Sequence, residues 1–145
     1  MQPSHDDFTR TASGGRFGAT MPIARDADVP AFERFGNFMQ GLATPSRGAG
    51  EVMVWRTRVA PGGGPPVHKH DHEEVVVIVA GTGTFVEEDG TVHPFGPGDT
   101  LFAPAGVVHE LKADDGVAVE WIACMPSGTK TLKPDGEELT TPWAD

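Results

Sequence analysis

Four side chains dominate the chemistry open to this sequence: His68, His70, Glu74 and His109. In a strand, residues two apart project on one face, so the imidazoles of His68 and His70 can reach one point. Glu74 shares their parity and opens the run Val75-Val76-Val77-Ile78-Val79-Ala80. A carboxylate turned towards an apolar interior is costly unless it is paired or binds a metal. The stretch Gly98–His109 supplies a third imidazole: a short strand meets the tight turn Pro104-Ala105-Gly106, and the chain returns to His109. Three neutral imidazoles and one carboxylate suit a borderline divalent ion such as Fe, Mn, Ni, Co, Cu or Zn. The single cysteine, Cys124, lies far along the chain, which argues against a thiolate zinc site. His72 has the same parity as His70 and is the competing ligand in a slipped register. A histidine in a surface turn is the simpler reading of it.

The elements that must position these groups are short strands. Residues 51–59 alternate, with Met53, Trp55, Thr57 and Val59 on one side. The Val75–Ala80 run is apolar on both faces and suits a strand sandwiched between layers. Asp89-Gly90 between residues 84–88 and 91–95 is a strong hairpin signal. Further strands are expected at 100–103, 107–112 and 117–125. Residues 29–43 carry Phe32, Phe35, Phe38, Met39 and Leu42, which fit one face of a short helix or an edge strand equally. With 19 glycines and 13 prolines acting as punctuation in 145 residues, the pattern is an all-β antiparallel sandwich or barrel. The expected organisation is a polar arm at 1–20, one β-barrel domain at 21–130 and a polar tail at 131–145.

Two patterned stretches then identify a family resemblance. Gly62, His68, His70, Glu74 and Gly81 fill the form G-x5-H-x-H-x3,4-E-x6-G, and Gly98, Pro104, Gly106 and His109 fill G-x5-P-x-G-x2-H-x3-N, with Ala113 at the Asn position. These are the two motifs of the cupins, which this chain resembles over residues 62–113, with the strand pattern extending the likeness from 51 to 125. The resemblance implies a cupin-type jelly roll with His68, His70, Glu74 and His109 as metal ligands. Four protein ligands on an octahedral ion leave two adjacent positions for a chelating organic anion. The favoured activity is therefore a dioxygenase-type oxidoreductase, with Glu74 as ligand or catalytic base. A metal-dependent isomerase, cyclase or lyase, and a small-ligand-binding cupin without turnover, are the other readings, because fold alone does not fix function. The resemblance also implies a homodimer.

Composition narrows the partners. A net charge of −10 with no basic cluster disfavours nucleic acid and anionic membranes. A polar, acidic beginning and the lack of a long apolar run give a cytoplasmic protein as the expectation. The sequence contains no tyrosine, which disfavours cupin chemistry that uses a phenol and leaves Glu74, histidine and metal-bound water as acid–base groups. His5 and His93 have no case as ligands. Trp55, Phe85, Phe102, Trp121 and Met53 are candidates either to line a pocket or to fill the core.

Overall fold

The computed structural model describes residues 22–145, so the expected arm at 1–20 lies outside the described residues. Alternating burial explains the largest sheet. Strand β3 (Val52–Val59) buries Met53, Trp55, Thr57 and Val59, the four residues whose parity predicted it. It pairs with β10 (Val119–Pro126), which buries Val119, Trp121, Ala123 and Met125 in the same rhythm. β5 (Glu74–Ala80) follows on the other side of β10, and β8 (Thr100–Ala103) forms the far edge. On the near side, β1 (Phe32–Arg34) and β2 (Asn37–Ala43) form an antiparallel hairpin against β3. The stretch compatible with a helix is thus a pair of strands, and the sheet order is β1-β2-β3-β10-β5-β8.

The opposing layer is built from two smaller sheets. β6 (Gly83–Glu87) lies between β7 (Val92–Phe95) and β9 (His109–Ala113). β4 (Lys69–His70) pairs with β11 (Thr131–Leu132), which pairs with β12 (Glu138–Leu139). Residues 131–145, expected as a polar tail, therefore carry two strands and a terminal 3-10 turn at Pro142–Ala144. The result is the antiparallel β-sandwich jelly roll predicted from the sequence.

The core between the layers holds Met53, Trp55, Val76, Ile78, Phe95, Leu111 and Trp121. Each such side chain contributes about 1.5–3 kcal/mol on full burial. The β5 run differs from expectation on its outer face. Val76 and Ile78 are buried, whereas Val77 and Val79 are 38% and 49% exposed. The layer covers one face of β5 only, so its continuous apolar sequence does not mark a doubly covered strand. Gly81 ends that strand at a φ of 84°, and a Cβ there would lie 2.1 Å from the Ala118 carbonyl oxygen. Only glycine meets both constraints.

Candidate metal centre

Each of the four candidate residues reaches the interior by a different local device. His70 and Glu74 flank the short turn between β4 and β5. His68 precedes β4 and exchanges both backbone hydrogen bonds with His109 at the start of β9, at 3.1 and 2.9 Å. The turn Pro104-Ala105-Gly106 is tied to the same place, because the Gly106 N–H donates to the His70 carbonyl at 2.7 Å. Two stretches distant in sequence are thus pinned together by backbone bonds, which need no particular side chain.

All four side chains are buried, between 2% and 7% exposed. Their ligand atoms lie within 4.8 Å of one another. The ring orientations follow from hydrogen bonds on the far nitrogens. His68 Nδ1 donates to the Pro66 carbonyl at 2.7 Å, and His109 Nδ1 donates to the Val107 carbonyl at 3.1 Å. A carbonyl only accepts, so both rings carry a proton on Nδ1 and turn Nε2 towards the centre. His70 Nδ1 lies 3.2 Å from the Thr131 hydroxyl, which plays the same part from β11.

The inward nitrogens are poorly served by the protein itself. Nε2 of His70 and of His109 lie 3.2 and 3.4 Å from the two Glu74 carboxylate oxygens, yet neither is aligned for a hydrogen bond and neither has another partner. Buried polar atoms are ordinarily satisfied. Two orphaned nitrogens beside a buried carboxylate fit a divalent metal ion, for which neutral imidazoles and a carboxylate are a suitable donor set. The charge state agrees. Burial, with repulsion from His109 and His70, pushes the His68 pKa down from 6.5 to about 4, so it is neutral at physiological pH. Burial raises the Glu74 pKa; what holds the carboxyl below the usual range is an N–H or positive charge presented to it from the His109 and His70 side, a role that a divalent ion between them would take over.

A cavity of about 90 Å³ opens above the group. His68, His70 and Glu74 line it, and His109 completes the cluster from outside the lining. Its walls include Trp55 and Trp121, which both fill the core and line the cavity, so the two readings open in the sequence hold together for them, along with Met39, Leu111 and Trp143. The other aromatic candidates differ. Met53 fills the core, Phe102 is 63% exposed at the sheet edge, and Phe85 packs its ring 5.8 Å from that of His109. His72 is exposed and bonded to Asp71, outside the cluster, and His93 pairs with Glu87 at the surface. Cys124 is half-buried, its neighbours in β10 alternating into the core.

Sequence reasoning missed Thr131, Trp143 and Arg34. Thr131 and Trp143 sit in the stretch read as a tail. Arg34 lines the cavity and donates from Nη1 to the Thr140 carbonyl, closing the β1–β2 hairpin against the C-terminal segment. No local pattern announces these contacts, whose partners lie between 61 and 106 residues apart in the chain.

The profile of the Cupin domain matches residues 55–125. The chain is 30% identical over 87 residues to a gentisate 1,2-dioxygenase from Ralstonia sp, covering 56% of this chain and 24% of that protein. It is 32% identical over 75 residues to a dimethylsulfoniopropionate lyase from Ruegeria pomeroyi, covering 50% of this chain and 37% of that protein. The polyketide cyclase RemF from Streptomyces resistomycificus shares the fold, with a TM-score of 0.68 at 20% identity over 86% of this chain and 89% of that one. This chain spans about a quarter to about half the length of the curated relatives it matches.

Proposed function

That this chain carries a cupin domain is the premise from which we propose its function: a metal-dependent cupin that binds a small chelating organic anion and acts as a dioxygenase-type oxidoreductase. His68, His70, Glu74 and His109 are the proposed ligands. The observation that carries the reading is the pair of buried, partnerless Nε2 atoms facing Glu74. A divalent ion held there would supply Lewis-acid polarisation of a chelated oxyanion and, if redox-active, oxygen chemistry.

The chain's own residues supply the rest. The Pro66 and Val107 carbonyls and the Thr131 hydroxyl fix the three rings, so the donor atoms are preorganised. Glu74 is proposed as the catalytic base as well as a ligand, the carboxylate oxygen that does not hold the ion being the one able to accept a substrate proton. The walls of Trp55, Trp121 and Leu111 keep the site dry, which strengthens every electrostatic interaction inside it. The identity to a gentisate dioxygenase supports redox chemistry. The identity to a lyase supports a second reading, in which the same ion works without redox change.

Elemental analysis of the purified protein, without added metal, tests the proposal. About one equivalent of iron, manganese, copper or nickel per chain, followed by oxygen uptake with a chelating diketone, catechol or flavonol, is the expected result. One equivalent of zinc favours the non-redox reading. No metal, with none taken up on incubation, refutes both.

A further inference from the structure

The hairpin between β1 and β2 turns through Phe35 and Gly36, with φ values of 55° and 75°. Two positive φ angles in a two-residue turn define the geometry that favours Asn-Gly. A bulky aromatic in the first position is sterically disfavoured. The ring of Phe35 is also 67% exposed, so packing does not repay the strain. Its position suggests what does. Phe35, Pro66 and Leu139 line the cavity above the metal centre, and the same three residues line a shallow outer depression with Val67 and Pro134. The two spaces thus share these three side chains as a common wall. The outer depression measures about 450 Å³ against about 90 Å³ inside, so a ligand with its head in the cavity would rest most of its body outside. The rim is mostly apolar, with Lys133 and Asp135 as its charged members, and Val67 is 40% exposed there. The Arg34 guanidinium lies 5.9 Å from the centre of the Phe35 ring and is tied to the Thr140 carbonyl, which holds the turn over the opening.

We propose that Phe35 is a specificity residue whose ring, with Pro66, Val67 and Leu139, grips a planar aromatic body attached to the chelating head of the substrate. This rests on the metal-chelate reading above and narrows it: the substrate is an aromatic hydroxyketone, diketone or catechol-type anion that extends beyond the cavity, not a compact acid.

Two probes with the same hydroxyketone head separate head from body: maltol, which has no aromatic extension, and 3-hydroxyflavone, which does. Both are titrated into the cobalt-loaded protein and followed by the cobalt absorption bands. The wild type is expected to bind 3-hydroxyflavone at least about tenfold more tightly than maltol, the scale of a buried aromatic contact. Phe35→Asn, which suits the turn, should remove most of that preference by weakening 3-hydroxyflavone far more than maltol, with cobalt stoichiometry held at one, and should raise the urea midpoint. Leu139→Ala, on the facing wall, should reduce the same preference. A preference unchanged in both variants, or a Phe35→Asn effect seen only as loss of a dimer on sizing, overturns the proposal while the metal-chelate reading stands. Failure of the wild type to bind cobalt or maltol overturns the metal-chelate reading and the inference with it.

Discussion

Acid should destabilise the metal-free protein through His68 well above the pH at which carboxylates titrate. In the folded chain its pKa is pushed down to about 4 from 6.5, burial being the largest cause, with His109 and His70 adding repulsion. An unfolded chain restores the ordinary value. Between pH 6.5 and 4 the unfolded state therefore binds a proton that the folded state refuses, and stability falls as pH falls through that window. Above it both states are neutral, and below it both are protonated. The full shift corresponds to about 3 kcal/mol, of which about 2 kcal/mol is lost by pH 5. With a urea slope near 2 kcal/mol/M, the midpoint should fall by about 1 M between pH 7.5 and pH 5. Glu74, whose folded pKa is depressed, contributes stability that is lost only as pH falls below its ordinary value of 4.5, so the range above pH 5 separates the His68 effect from that of Glu74. His68→Gln keeps an amide able to reach the Pro66 carbonyl and cannot titrate. Its urea midpoint should be nearly flat over the same range. Parallel losses in wild type and variant would refute the assignment to His68, and a flat wild-type profile would refute the desolvation argument.

Three further outcomes follow from the geometry. Glu74→Ala or His109→Ala should abolish stoichiometric metal uptake, whereas His72→Ala should leave it unchanged, because His72 is exposed and bonded to Asp71; elemental analysis after dialysis reads all three. Thr131→Val removes the partner of His70 Nδ1 and should weaken metal affinity by about 10–100-fold, with Thr131→Ser restoring it, in a competitive chelator titration. Gly41→Ala would place a Cβ 2.0 Å from the Trp143 carbonyl oxygen, and should displace the terminal turn, costing about 1–3 kcal/mol in urea unfolding and red-shifting tryptophan emission.

The candidate cluster was legible because its geometry is local. A two-residue spacing puts His68 and His70 on one face, and Glu74 shares their parity. His72 shares it too, so the spacing from Gly62 to Gly81, not strand periodicity, is what separates Glu74 from His72. His109 required one step more, an antiparallel return after Pro104-Ala105-Gly106, and the structure supplies it as a backbone pair with His68. The hairpin at Asp89-Gly90 was legible for the same reason, since turn chemistry is written in adjacent residues. Residues 29–43 were not, because Phe32, Phe35 and Phe38 satisfy helical spacing while Asn37, Met39 and Gly41 satisfy strand spacing. The burial available against β3 decided in favour of strands. The outer face of β5 misled for a related reason: an apolar sequence records what a residue tolerates, and its exposure is set by whether a second layer covers it.

The proposed metal centre and the proposed selectivity rim come from different parts of the chain. The proposed ligands and the carbonyls that orient two of them fall between Pro66 and His109, so one stretch of chain specifies the reactive centre. Beyond the mid-chain walls of Trp55, Leu111 and Trp121, the two ends of the described chain add Arg34 and Phe35 on the first hairpin, and Leu139, Thr140 and Trp143 near the C-terminus. These ends meet through contacts such as the Arg34–Thr140 bond and the Ser46 N–H bond to the Asp145 carbonyl, and Trp143 packs on Trp55 of β3 at a ring separation of 5.7 Å. Substitutions there can reshape the opening without disturbing the inner hydrogen bonds of His68 and His109. The strained turn at Phe35 fits this arrangement, because strain at the rim can serve ligand selection while the metal group stays fixed below.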